Sequence, residues 1–202
     1  DYGIEFPSPS VRIEMLGEAV KIVKGMWTQK QTYYEGIHYR VKGAYCEPKP
    51  LQKPHPPITI GGGGEKLTLK LVAEEADRSN FGGTPPEFER KLRILRTHCE
   101  RVGRDFDEIE KSCNLSVLIC QDKEELNQEL KKRFLAQGSK LSFEEWVKQA
   151  STNSVIGTPE KCLDRLKEYT RLGASLFTVQ YFGDLPSTRG MKLFAESVAS
   201  RF

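Results

Sequence analysis

The residues best placed to do chemistry lie in Pro57-Ile58-Thr59-Ile60-Gly61-Gly62-Gly63-Gly64-Glu65-Lys66. A short apolar strand pattern runs into four glycines and then into the start of a helix. Glycine admits left-handed backbone and lets a ligand come close to the main chain. A helix start offers unpaired N–H groups and the positive end of the helix dipole. Together they suit an anion, above all a phosphate. A tight strand-to-helix turn without any ligand has the same composition, so the run alone leaves both possibilities open.

The remaining reactive side chains are dispersed. The three histidines are His38, His55 and His98, and none has a metal-binding partner at useful spacing. His38 alternates with apolar residues and is expected to face solvent. His55, in a proline-rich connector, and His98, beside a helical apolar stripe, are expected to be structural. The five cysteines form no Cys-x-x-Cys pair, which argues against zinc and for reduced thiols in a cytoplasmic protein. Glu14 and Glu18 lie one helical turn apart near Arg12, the pattern of a solvated or salt-bridged face. Trp27 and Trp146 are expected in the core. No nucleophile-elbow motif is present. These residues support no metal site and no catalytic assignment.

The elements that must position the glycine run follow from periodicity. Ser8-Pro9 starts a helix reaching about Trp27, with Ile13, Leu16, Val20, Val23 and Trp27 as its buried face. Ile37, Tyr39 and Val41 alternate with polar residues and predict a small hairpin excursion. Prolines 48, 50, 54, 56 and 57 then favour an extended connector. After the glycines, Leu69, Val72, Ala73 and Ala76 form a helical stripe leading to a strand at residues 77–81. Phe88, Leu92, Leu95, Cys99 and Val102 line the next helix, which Gly103 ends. Residues 115–120 form an apolar strand, and Gly138 divides the helical region 122–150. Residues 155–160 lead into a helix from Thr158-Pro159-Glu160, a plain cap that could also touch a phosphate. Residues 176–181 form the last strand, and a final helix carries Met191 and Phe194. Strand and helix thus alternate four times, marked by Ile58, Ser79, Val117 and Val179, as in an α/β fold with a parallel sheet.

The chain has 202 residues and is read as a single domain, 1–202. It carries 31 basic and 28 acidic side chains, a near-balance that argues against a nucleic-acid surface. No apolar run approaches the roughly 20 residues of a membrane span, and no signal peptide opens the sequence.

The ordered motifs resemble the luciferase-like flavin and deazaflavin oxidoreductases along essentially the whole chain. They run through Arg12-x-Glu14 to Trp27, Tyr34-x-Gly36-x-His38-Tyr39, Pro48-Lys49-Pro50-x-Gln52-x-Pro54 and Pro57-Ile58-x-Ile60-Gly61-Gly62. Ala76-Asp77-x-x-Asn80, Gly103-Arg104-Asp105 and Gly157-Thr158-Pro159-Glu160 continue the series. The glycine run with Glu65-Lys66, and His98-Cys99 before Val102-Gly103, look most like the branch using the deazaflavin coenzyme F-420. The resemblance implies a TIM-type (β/α)8 barrel, with the site at the C-terminal ends of the strands. This chain would supply about the last four β/α units, a half-barrel. Asp1-Tyr2-Gly3-Ile4 looks like the stretch after the family's fourth strand, so the first half of the barrel is expected to lie outside this chain. The cofactor-binding residues implied are Gly61, Gly62, Gly63, Gly64, Glu65, Lys66 and Asn80, with the N–H groups from Gly62 to Lys66 on the phosphate. The implied chemistry is hydride transfer between coenzyme F-420 and a small organic substrate. FMN-dependent monooxygenation is the close alternative. A non-catalytic phosphate-binding half-barrel is the alternative of another class. Raw sheet edges imply a homo-oligomer or pairing with the missing N-terminal half.

Overall fold

The computed structural model describes Gly3, residues 5–181 and residues 188–202. The motif Asp1-Tyr2-Gly3-Ile4 thus falls mostly outside the described residues. The chain divides into two compact units: Asp1–Asn80 with Lys91–Glu110, and Phe81–Arg90 with Lys111–Phe202.

In the first unit, α1 (Pro9–Thr28) is followed by the antiparallel strands β1 (Thr32–Glu35) and β2 (Arg40–Ala44). The chain then enters β3 (Thr59–Gly61), α2 (Thr68–Glu75) and β4 (Arg78–Phe81). β3 and β4 are parallel, pairing Thr59 with Arg78, Ile60 with Ser79 and Gly61 with Asn80. Helix α3 (Pro85–Val102) contributes its later turns, and Gly103 ends it at φ 70°, a left-handed position suited to glycine. The core gathers Val20 of α1, Ile60 of β3, Leu71, Val72 and Ala73 of α2, and Leu95 and Cys99 of α3. Leu71 closes on Gly17, where an added Cβ would lie 3.2 Å from its side chain. This shifts the buried stripe of α1 from the expected one: Gly17, Val20 and Gly25 are buried, while Leu16 and Val23 stay 37% exposed. The small residue, not the large one, permits the close helix contact. Arg104 donates to the Ala73 carbonyl at 3.2 Å, placing a cation at the C-terminal end of α2.

The hairpin also departs from expectation. Residues 36–39 form its turn rather than a strand, with Ile37 88% exposed and His38 partly buried. The cause is Glu18 on α1. Its carboxylate accepts the N–H groups of Ile37 at 2.7 Å, His38 at 3.0 Å and Tyr39 at 2.8 Å. The backbone, not the apolar alternation, therefore sets which side of the turn faces the protein.

In the second unit, β5 (Glu110–Ile119) is paired in parallel on both sides. One partner is β6 (Ser154–Gly157), the other β7 (Leu176–Tyr181). The sequence expectation of four strands is corrected here, because residues 154–157 form a fifth parallel strand rather than only a lead-in. Four residues are too few to show a period, and the strand is defined by its pairing with β5. Helix α4 (Lys123–Gln137) ends at Gly138 with φ 59°, and α5 (Phe143–Asn153) starts at a Ser142–Glu145 capping box. Phe143, Trp146 and Val147 pack on Leu118, Leu130 and Ile156. Helix α6 (Pro159–Arg171) brings Cys162, Leu163, Leu166 and Tyr169 into the interior, and α7 (Arg189–Ser197) buries Phe194. The Tyr169 ring meets Phe88 edge-on at 5.6 Å, and its hydroxyl donates to the Gly83 carbonyl at 2.7 Å. Burial pushes that hydroxyl up to about 12.

Two outcomes test this packing. Desolvation pushes the Glu18 carboxyl upward, but the N–H groups of Tyr39, Ile37 and His38 outweigh it and hold the group below the ordinary carboxylate range. Its contribution is present at neutral pH and is lost as pH falls through the folded-state value. In Glu18→Ala at neutral pH the protection factors of the Ile37, His38 and Tyr39 amides, taken against the intrinsic exchange rate at the same pH, are expected to fall, and in the unaltered protein they are expected to fall under acid. Burial also raises Cys113 and Cys162 to about 12 and Cys120 to about 11, while Cys99 is 1% exposed. A thiol reagent at neutral pH is expected to label Cys46 first and the other four only on unfolding, as read by mass spectrometry of the native and denatured protein.

Candidate functional site

The first unit brings the glycine run and Asn80 together at the C-terminal ends of β3 and β4. Ile60 faces the core, so Thr59 and Gly61 lie on the opposite, open face of the strand. On β4 the alternation buries Ser79 and turns Arg78 and Asn80 to that same open face, Asn80 in register with Gly61. Arg78 pairs there with Glu110. The ladder extends one step beyond the strand, since the Gly62 N–H donates to the Asn80 carbonyl at 2.9 Å. Gly62 then takes φ 117°, which a residue with a Cβ adopts only under strain.

That bond corrects one detail of the sequence expectation. The Gly62 N–H belongs to the sheet, so it does not count among the donors available to a ligand. The available donors begin one residue later. No acceptor among the described residues takes the N–H of Gly63, Gly64 or Lys66. The Gly64 carbonyl accepts from Leu69 at 2.9 Å and thereby joins the turn to α2. Helix α2 starts without a side-chain cap, because Leu67 at that position has no oxygen to offer. The first turn of α2 therefore keeps orphan N–H groups.

Space at the turn is equally specific. A Cβ on Gly64 would sit 2.7 Å from Thr68 Oγ1, and one on Gly63 would sit 2.6 Å from Lys91 Nζ. The glycines thus let a hydroxyl from α2 and an ammonium from α3 reach the backbone of the turn. His98, 8% exposed, places Nε2 at 2.8 Å from the Glu65 carbonyl. A carbonyl only accepts, so Nε2 carries the hydrogen. Sequence reasoning named the glycines, Glu65, Lys66 and Asn80 but missed Thr68 and Lys91. It placed His98 among structural residues without its target. The available signal was that Lys91 and His98 stand seven residues apart, two turns along one face of α3.

An anion with several oxygens fits this turn: unsatisfied N–H groups, an uncapped helix start and lysines at positions 66 and 91. Among the described residues, no group of three or more His, Cys, Asp or Glu side chains could hold a metal ion. No helix among them is long and apolar enough to cross a membrane.

The sequence profile described as luciferase-like monooxygenase matches residues 2–176, most of the chain. The chain belongs to the luciferase-like monooxygenase family. Among its relatives is an F420-dependent glucose-6-phosphate dehydrogenase of Microbacterium testaceum, 27% identical over 190 residues, covering 85% of this chain and 55% of that protein. Another is an FMNH(2)-dependent dimethylsulfone monooxygenase of Pseudomonas putida, 25% identical over 200 residues, covering 82% of this chain and 55% of that protein. The coenzyme F420-dependent tetrahydromethanopterin reductase of Methanopyrus kandleri superposes with a TM-score of 0.73 at 18% identity, covering 94% of this chain and 63% of that one. This last likeness speaks for the fold: an α/β chain corresponding to part of a luciferase-like TIM-type barrel. The chain spans about half the length of the curated relatives it matches.

The two middle glycines of the family turn should respond differently to a methyl group. Gly62→Ala forces a strained φ and is expected to lose about 1–3 kcal/mol in urea unfolding. Gly63→Ala meets only the flexible end of Lys91 and is expected to stay within about 1 kcal/mol of the unaltered protein.

Proposed function

We propose that residues 1–202, acting as a single domain, form the cofactor-phosphate end of a luciferase-like oxidoreductase. The reaction assigned is hydride transfer between coenzyme F-420 and a small organic substrate. The observation carrying this reading is the turn at Gly63, Gly64 and Lys66. Its N–H groups have no acceptor among the described residues and stand beside an uncapped helix start. Family membership turns that anion site into a cofactor site, and the F420-dependent relative supports the deazaflavin.

When bound, the deazaflavin ring supplies the hydride acceptor or donor. The residues of this chain bind and orient. Backbone N–H groups of Gly63, Gly64 and Lys66 hold the phosphate, with Asn80 alongside on β4. Thr68 and Lys91 offer a hydroxyl and a positive charge at the same turn. No residue of this chain is assigned a proton-transfer role. The reactive-ring end of the site, and the substrate contacts, are assigned to the half of the barrel beyond this chain, present either as a linked segment or as a paired subunit. A cytoplasmic, homo-oligomeric protein is the accompanying proposal.

FMN-dependent monooxygenation is the second reading, favoured by the FMNH(2)-dependent relative. A phosphate-binding module without turnover is the third. Fluorescence titration of the full-length protein with coenzyme F-420 and with FMN separates them. Saturable binding of F-420, with bleaching of its absorbance on adding a hydride-donor substrate, is expected. Saturation with FMN alone selects the second reading, binding without any redox change selects the third, and binding of neither cofactor overturns the cofactor assignment.

A further inference from the structure

We propose that His98 is the residue that aims the phosphate-binding face of the glycine turn. It does so by fixing the peptide plane between Glu65 and Lys66. The inference rests on the phosphate site proposed above and assigns its control to a side chain on α3.

Four observations carry it. His98 is 8% exposed, so its ring is a fixed part of the interior rather than a mobile surface group. Its Nε2 lies 2.8 Å from the Glu65 carbonyl oxygen, across 33 residues of sequence. The Glu65–Lys66 peptide is not among the cis bonds of the chain, which fall at Glu47-Pro48 and Lys53-Pro54. In a trans peptide the C=O and the following N–H point in opposite directions. Drawing the Glu65 carbonyl onto α3 therefore turns the Lys66 N–H away from α3. That N–H has no acceptor among the described residues.

The bond from the Leu69 N–H to the Gly64 carbonyl at 2.9 Å closes the turn, and the His98 bond fixes the Glu65 carbonyl within it. Gly63 and Gly64 impose little backbone preference of their own, and the α2 start has no side-chain cap. The His98 bond adds a side-chain anchor from α3 to the one carbonyl whose direction sets that of the Lys66 N–H. Lys91 helps from the same face of α3, its chain covering Gly63 so closely that an added Cβ would lie 2.6 Å from Nζ. The turn is thus gripped near both of its ends by α3, at Gly63 by packing and at Glu65 by a hydrogen bond. His98 is a positioning residue: it touches the loop and not the ligand.

The test uses the full-length protein, with coenzyme F-420 and FMN as probes. In the unaltered protein, the Lys66 amide resonance is expected to move on saturation with whichever cofactor binds. In His98→Ala the affinity is expected to fall about five- to thirtyfold, as for loss of one buried hydrogen bond. His98→Gln, whose amide nitrogen reaches about as far as Nε2, is expected to restore most of it, while the shorter His98→Asn is not. A merely structural histidine predicts that Gln and Asn behave alike. Cofactor binding that leaves the Lys66 amide unmoved overturns the proposal, even if the variants do not fold. So does unaltered affinity in a folded His98→Ala. Failure of the unaltered protein to bind either cofactor overturns the phosphate site itself, a result distinct from both.

Discussion

The site depends on where the β3–β4 ladder stops. Its last rung is the Gly62 N–H on the Asn80 carbonyl, and past that rung the backbone donors have no acceptor among the described residues. A strand that ran further would consume them, and a capped helix would satisfy them from its own side chain. Neither happens, because glycine leaves the strand at φ 117° and Leu67 cannot cap α2. The donors stay open at the turn where a parallel strand becomes a helix. Gly64 and Lys66 are exposed, so water can meet these N–H groups, and an anion would replace that water at a turn already shaped to receive it.

The same physics operates, with an internal anion, at the hairpin. Three consecutive N–H groups at residues 37–39 converge on the Glu18 carboxylate. Gly36 permits the approach, since a Cβ there would overlap the carboxylate at 2.3 Å. One backbone nest is thus filled by the protein's own glutamate and serves structure. At the other, among the described residues, no carboxylate is seen to accept the N–H groups of Gly63 and Gly64. The contrast separates a structural carboxylate from a candidate binding turn: what matters is whether the chain supplies its own anion.

In the second unit, stability comes from dense burial around β5. Cys113, Leu115 and Val117 alternate inward, and Tyr169 ties α6 to the Gly82-Gly83 turn. Gly82 is required there because a Cβ would come within 2.7 Å of the Asn114 carbonyl, a backbone atom with no freedom to withdraw. On the other face of the sheet, Asn114 is exposed and bonded to Thr178 at 3.2 Å. Parallel sheets normally have both faces covered. Asn114 and Thr178 form a polar, exposed patch on that face, flanked along β5 by the buried Ser112 and Leu118.

Much of this was legible in the sequence, and for an identifiable reason. The seven-residue stripe of α3, the helix stops at Gly103 and Gly138, and the strand–glycine–helix order are local patterns, and local sterics enforce them. The glycine run could be read as a candidate anion site because glycine acts through its own backbone. Other features were hidden because they depend on partners distant in sequence. Strand β6 exists by pairing with β5, Ile37 is exposed because Glu18 claims the backbone beside it, and α1 buries Gly17 because Leu71 lies against it. The sequence by itself determined the helices, four of the five parallel strands, the family and the composition of the turn. Only the tertiary structure decided which N–H groups of that turn remain open, because the acceptor on Asn80 and the donor on His98 reach it from strand β4 and helix α3.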